Sequence, residues 1–343
     1  MNEMKPGIYE GLTQQQYASI DALNQSELKK FVKNPQAFAD GLPEVKSASF
    51  AWGNLFELLL LDPMSLGEHY ALLDDAKEDE LTAIANTKVL ESVTFSKRLS
   101  AYKEWALGQP EAGIDDALTE AVREEIVRKA VHSKAKKFSK RLPEYTAWAE
   151  EQEASGKTVI DSAMLASCVL AVSRAEREPN IESLFALGGE SQVAIVWTDP
   201  ITNLKCKGLI DWVPNKISSL VDVKTTASLT DVHRNDAKWK IRNTVRSYGY
   251  DFQAAYYLWG WSLAREQSGM SADVRDSWLF LFSQNQKPWA AAAYSLSKEC
   301  IDSATDRVRM ALQEWQACHS TGNFPGLTST DHWPELPSIH EKL

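Results

Sequence analysis

Asp211, Asp222 and Lys224 are the residues of this 343-residue chain whose types and spacing bear most directly on chemistry. They lie in GLIDWVPNKISSLVDVKTT, which reads as two apolar strands, 204–213 and 217–224, joined by a tight turn at Pro214-Asn215-Lys216. Side chains alternate faces along a strand, so Leu220, Asp222 and Lys224 share one side and Val221 and Val223 take the other. Asp211 ends the first strand after Leu209 and Ile210, where a hairpin brings it beside Asp222. Two carboxylates and an ammonium then meet in an apolar setting. Acids held together and partly desolvated repel, so one takes up a proton unless a divalent cation neutralises both. Oxygen ligands of this kind suit magnesium or manganese. Such a metal ionises water and stabilises charge on a phosphoryl oxygen, and a nearby lysine orients the water or the developing anion. The reaction class this favours is metal-assisted phosphodiester hydrolysis. The competing reading is a structural ion pair, Asp222 with Lys224 or Lys216, and the D-x-K tripeptide alone does not choose between them.

The elements that must position these groups can be traced along the chain. Residues 6–23 read as an extended lead-in, with one helical turn over 14–19, and Asn24 or Ser26 caps a helix running to about Val32. Its Lys29, Lys30 and Lys33 form a small basic patch. SASFAWGNLFELLLL, residues 47–61, reads as a largely buried helix stopped by Asp62-Pro63. Glu57 inside it is costly unless a metal or a basic partner offsets its charge. Residues 76–186 are polar and helical, and Arg123–Arg141 is the main cationic island, either a DNA path or a solvated helix face. Gly156-Lys157-Thr158 is no nucleotide-binding loop, because the position that needs the earlier glycine is Glu151, so a turn is expected there and an ATP-driven motor is rejected.

Glu190 to Trp197 begins a sheet that continues as a three-strand meander to Lys224. Residues 231–250 interleave Lys238, Lys240, Arg242 and Arg246 with Trp239, Tyr248 and Tyr250, which suits contact with phosphates and stacking on frayed bases, or else an ordinary loop. A helix over 250–266 sets Gln253 and Tyr257 one turn apart on one face. Strands over 277–283 and 289–296 and an amphipathic helix over 297–318 complete the pattern, and the proline-broken tail is irregular. The layout expected is 1–75 as N-terminal helices of the core, 76–186 as a helical insertion, 187–320 as core sheet and helices, and 321–343 as tail.

Asp211, ten residues, then Asp222-Val223-Lys224 resembles the PD-(D/E)xK nuclease superfamily. Thr225-Thr226 and the Gln253/Tyr257 pair in YDFQAAYY narrow the likeness, as do GIYEGLTQQQYASIDALNQSELKKF and FAWGNLFELLLLDP near the start. The set is similar to the exodeoxyribonuclease VIII (RecE-type) branch, related in mechanism to lambda exonuclease and the RecB nuclease domain. The likeness covers most of the chain and is weakest over 76–186. It implies an α/β fold, with a central mixed sheet flanked by helices in an αβββαβ core and a helical insertion. It implies Asp211 and Asp222 as metal ligands, helped by the Val223 carbonyl and by Glu57, for which a salt bridge to a lysine is the alternative. Lys224 then positions water or stabilises the transition state, and Gln253 and Tyr257 orient that shell. Glu190 aligns with a supporting acid. Ser26 is a candidate phosphate contact at the DNA end, or an ordinary helix cap.

The activity so implied is magnesium-dependent (manganese possible) digestion of the 5′-ended strand of duplex DNA, leaving a 3′ tail. A ring-shaped homo-oligomer and a single-strand annealing partner come with it by analogy. The alternatives are an endonuclease on the same core and a non-catalytic DNA-binding protein.

Composition limits these readings. A formal charge of −10 argues against broad gripping of phosphates and confines any DNA contact to local patches or a metal-lined channel. Cys168, Cys206, Cys300 and Cys318 are scattered, with no CxxC pair to hold zinc or an iron–sulfur cluster. Reduced thiols in a cytoplasmic protein are expected, with no signal peptide and no membrane span.

Overall fold

The computed structural model describes residues 4–41, 48–92, 139–140, 142–227, 229, 234–270 and 273–326. The chain divides into two compact units, one made of Met1–Pro63 with Ser167–Leu343 and the other of Met64–Ala166.

The first unit begins with β1 (Gly7–Tyr9), α1 (Gln14–Ala18), β2 (Leu23–Asn24), α2 (Gln25–Lys33), α3 (Pro35–Ala39) and α4 (Ala48–Leu61). Asn24 starts α2: its side chain accepts from the Glu27 amide at 2.9 Å while the Glu27 carboxylate accepts from the Asn24 amide at 3.2 Å. That reciprocal cap uses two amides a helix start leaves over. Pro63, following α4, has no amide to carry that helix further.

The second unit contains α5 (Leu66–His69), β3 (Tyr70–Leu73), α6 (Asp75–Ser92), α7 (Pro143–Ala154) and β4 (Thr158–Asp161). β3 and β4 pair in parallel, and Leu73, Leu81, Ala85 and Leu142 form a small core. The turn expected at Gly156-Lys157-Thr158 is present at Ser155-Gly156, where Gly156 has a φ of 82°, and a strand follows from Thr158 on, so the insertion is not purely helical. Its bounds also differ from the expected 76–186, since 64–75 join it and 167–186 belong to the first unit.

α8 (Ser162–Glu176) leads back to the first unit, followed by α9 (Pro179–Phe185), β5 (Gly189–Thr198), β6 (Lys205–Pro214), β7 (Ser219–Thr226), α10 (Arg234–Tyr248), α11 (Tyr250–Ser268), β8 (Ser277–Gln284), β9 (Ala291–Ser295) and α12 (Lys298–Thr321). The sheet runs β1-β5-β6-β7-β8-β9, with β2 paired to β6. β5, β6 and β7 form the expected antiparallel meander, whereas β7 and β8 lie parallel from Ser219↔Ser277 to Thr226↔Gln284. A parallel pair needs a long crossover, which α10 and α11 supply. The result is a mixed α/β sheet with helices around it, in the αβββαβ order of α4, β5–β7, α11 and β8.

α11 is buried on most sides, with Phe252, Ala255, Tyr256 and Ala264 inside a core that also takes Trp197, Trp278 and Phe280. Each large apolar side chain removed from water contributes roughly 1.5–3 kcal/mol, which explains a central helix lacking a polar face. Residues 234–248 are helical rather than a loop, with Ile241 and Val245 one turn apart on the buried side. No helix among the described residues is long and apolar enough to cross a membrane. All four cysteines are free. Most of the cationic island, 123–138 and 141, and the tail from 327 on lie outside the described residues.

Candidate active site

β6 and β7 pair at Trp212↔Val221, and continuing that register one step sets Asp211 across from Asp222. The ladder opens there, and the Asp211 carboxylate takes the place of a backbone partner: its Oδ2 accepts from the Val223 amide at 2.7 Å. Asp211 thus lies inside β6 rather than at its end. Asp222 is 1% exposed, and its Oδ1 accepts from Gln253 Nε2 at 2.6 Å. Its Oδ2 meets the Lys224 ammonium in an ion pair, yet accepts no well-formed hydrogen bond. Lys224, its side chain 17% exposed, also donates to the Val223 carbonyl at 3.4 Å. The expected shared face of Asp222 and Lys224 is therefore present, and Lys224 rather than Lys216 is the ion-pair partner.

Glu57 reaches these groups because α4 comes close to β7. A Cβ added at Gly53 would stand 2.9 Å from Thr225 Oγ1, so the missing side chain permits the approach, and Glu57 follows one turn later on the same face. Glu57 Oε1 accepts from Gln192 Nε2 at 2.8 Å. Gln192 has a φ of 53°, a left-handed backbone that a glutamine seldom adopts. In the β5–β6 ladder the pair at this point is skipped, leaving Gln192 opposite Asp211. One residue therefore touches one acid with its side chain and faces another across the strands.

Electrostatics bind the acids into one unit. Burial pushes Asp211 well above the usual carboxylate range, and Glu57 and Asp222 push it further. Burial also raises Glu57 and Asp222, with Lys224 opposing in both cases. For Lys224, burial works against the charge, but Asp222 and Asp211 outweigh it and keep the ammonium protonated. Lys29 moves the other way, lowered to about 8 by burial and by Lys224, with Asp222 and Asp251 opposing. The ammonium groups of Lys224 and Lys29 lie 5.1 and 5.5 Å from the centre of the Tyr250 ring.

The donor set fits a divalent cation. It is all hard oxygen, from Asp222, Asp211, Glu57 and the Val223 carbonyl. The buried Asp222 Oδ2 is met by the Lys224 ammonium at a geometry too poor for a hydrogen bond, and three acids crowd against one another. Added positive charge would relieve both. Among the described residues no three His, Cys, Asp or Glu side chains stand together closely enough to hold a metal ion by themselves. Instead the Lys224 ammonium serves Asp222 and the Val223 carbonyl, two of the oxygens expected to bind metal.

The other expected residues fall at differing places. Tyr257 is core, 9% exposed, with its ring over Gly208 and 5.8 Å from that of Trp278. It backs the strand carrying Asp211, while Gln253 touches an acid directly. Glu190 is exposed beside Val213, and the neighbour that reaches Glu57 is Gln192 instead. Nothing in the sequence marks Gln192, which follows the polar Glu190 and Ser191 and precedes the apolar run that starts at Val193. Asn24 caps α2, and Ser26 lies exposed in its first turn with its hydroxyl donating to Gln25 Oε1 at 3.5 Å. Lys29 stands near the acids, while Lys30 lies on an exposed part of the same helix. On α10, Lys238, Arg242 and Arg246 form an exposed stripe at four-residue spacing, with Lys240 partly buried.

A match to one family model agrees with this geometry. Residues 125–330 match a family described as a PDDEXK-like domain of unknown function (DUF3799). No curated protein matches the chain. The crystal structure of a "Putative exonuclease" from Eubacterium rectale is 13% identical, covering 96% of this chain and 97% of that one, with a TM-score of 0.48. That of SSO0001 is 17% identical, covering 41% of this chain and 65% of that one, with a TM-score of 0.22. Both likenesses are too distant to carry an argument about activity. Nucleases of the PDDEXK type typically use a divalent metal, consistent with the all-oxygen donor set described above. With its match spanning more than half of the sequence, the chain belongs to the PDDEXK-like family of unknown function (DUF3799), within the PD-(D/E)xK nuclease superfamily.

Proposed function

We propose that this chain is a magnesium-dependent exonuclease of the exodeoxyribonuclease VIII (RecE) type, which digests the 5′-ended strand of duplex DNA and leaves a 3′ single-stranded tail for recombination by annealing. The observation that carries the reading is the meeting of Asp211 and Asp222, from neighbouring strands, at one lysine: the Asp211 carboxylate accepts from the Val223 amide and the Lys224 ammonium pairs with Asp222.

Asp222 and Asp211, with the Val223 carbonyl and Glu57, are the groups that would hold magnesium, or manganese in its place. Bound there, the ion supplies an ionised water and positive charge beside the phosphoryl oxygens. Lys224 orients the attacking water and takes up charge as the phosphorus gains an oxygen. The P–O3′ bond breaks, the leaving 3′ oxygen takes a proton, and a 5′-mononucleotide departs. Gln253 holds Asp222 in place through Oδ1. Ser26, Lys29 and Lys30 on α2, and Lys238, Lys240, Arg242 and Arg246 on α10, contact the backbone of the DNA end. The ring-shaped homo-oligomer, the annealing partner and a cytoplasmic location belong to this reading by analogy with the resembling exonucleases.

Linear duplexes labelled at either end, incubated with magnesium or calcium, test it. Release of label from the 5′ end in magnesium by the native chain, lost in Asp222→Asn, is expected, with covalently closed circles left intact. Cleavage of closed circles would favour an endonuclease on the same core. Binding without turnover, unaffected by Lys224→Ala, would favour a DNA-binding protein.

A further inference from the structure

α10 ends at Tyr248 and α11 begins at Tyr250, with Gly249 between them at φ 59° and ψ 42°. That left-handed turn comes at little cost only for glycine. It lays the two phenol rings in a stack, 5.6 Å between centres and 18° between planes. The inner ring is anchored. Tyr250 packs against Phe280 and Phe282 at 5.9 and 6.4 Å, and the Lys224 ammonium stands 5.1 Å from its centre. The outer ring is not enclosed, since Tyr248 is 62% exposed even though Tyr250 covers one of its faces. A short aromatic ladder therefore leads from the lysine beside the acids to an open ring face at the surface. It starts where the cationic stripe Lys238, Arg242 and Arg246 of α10 ends.

We infer that the open face of Tyr248 is a stacking site for an unpaired nucleobase of the strand being cut, held near the phosphate that Lys224 meets. The inference rests on the nuclease reading and deepens it by naming how a frayed end is gripped. The chemistry is suited to an enzyme that must accept any sequence. Every base has a π-face, so stacking holds the strand without reading it, while the stripe along α10 takes the phosphates. An anchored ring is also a better platform than a free one, because Tyr250 already limits the motion that stacking would otherwise have to suppress.

A fluorescent 2-aminopurine at the unpaired 5′ end of a short duplex tests the inference, with calcium in place of magnesium. Binding of the native chain should quench the fluorophore, and Tyr248→Phe should preserve the quench. Tyr248→Ala should abolish it and weaken binding of the frayed duplex roughly tenfold or more. Its far-ultraviolet circular dichroism should stay native, since the side chain is exposed. If Tyr248→Ala binds and quenches like the native chain, the stacking site is wrong while the nuclease reading stands. If the native chain neither binds nor cuts the duplex, the reading beneath it has failed, and the stacking site with it.

Discussion

A buried lysine and a half-buried one stand on neighbouring strands of one sheet, and their surroundings differ in kind. Lys207 on β6 is 6% exposed, and its ammonium donates to the carbonyls of Tyr17, Ala18 and Ile20 at 3.2, 3.3 and 2.7 Å. All three of its donors have backbone acceptors, so it pins the end of α1 to the sheet. Burial lowers its pKa, and Glu27 and Asp21 offset this only in part. Lys224 on β7 faces carboxylates instead, and they overcome burial and raise it. A lysine whose donors are used up by carbonyls is fastened in place. One set among crowded acids is balanced against groups that still call for positive charge.

The contrast predicts opposite phenotypes. Lys224→Ala should cut nuclease turnover by about 10²- to 10³-fold, the usual loss on removing one preorganised stabilising group, measured as nucleotide release under saturating DNA. Calcium-supported DNA binding should persist, and a loss of folding instead would make Lys224 a second Lys207. Gln192→Ala should weaken the rise in melting temperature on titrating metal by roughly 10- to 100-fold in apparent affinity, as removal of a ligand's supporting partner typically does. Gln192→Gly, which relaxes the positive φ but also loses the bond to Glu57, should fail alike if the contact matters more than the backbone. Lys207→Ala should leave turnover per folded molecule intact and lower stability by about 1–3 kcal/mol in urea unfolding, because buried carbonyls lose their donor.

The smallest effect sharpens the electrostatic side. Asp211 is raised in the folded chain by burial and by the neighbouring acids, so between the ordinary carboxylate range and its raised value the native state holds a proton that the unfolded chain has released. Its stabilising contribution is full below the unfolded pKa and is lost as pH rises through the folded one. Without metal, the native chain should therefore lose stability on moving from acid toward neutral pH. Asp211→Asn should flatten that fall and melt higher at neutral pH while being inactive. A variant that melts lower at neutral pH would mean that the acid is already well compensated.

Much of this arrangement was legible in the sequence, where short-range pattern carried it. The alternation around Asp222 and Lys224, the Asp62-Pro63 stop and the Asn24 cap are local, and each appears close to where it was expected. Long-range pairing was not legible. β1 and β2 are two or three residues long and become strands only through β5 and β6, which lie far along the chain. Gln253 and Tyr257 share a helix face as the spacing predicts, but only Gln253 touches an acid, while the Tyr257 ring packs over Gly208. Gln192 escaped because strand periodicity predicts neither a left-handed residue nor its contact with a helix distant in sequence. α10 was missed because its charged and aromatic composition, which marks a surface, obscures the Ile241/Val245 spacing that makes it a helix.

The sheet order has a consequence for biosynthesis. β1 and β2 are made first but pair with β5 and β6, and between them the ribosome must deliver the whole of Met64–Ala166. Contacts of such wide sequence separation form slowly, because the intervening chain must close before any of them is rewarded. The emerging N-terminal segment therefore waits unpaired, and the acid cluster, which needs α4 from one side of the insertion and β6 and β7 from the other, assembles only after translation has passed residue 226. A nascent chain halted earlier would carry Glu57 without the acids and the lysine that it meets in the folded chain.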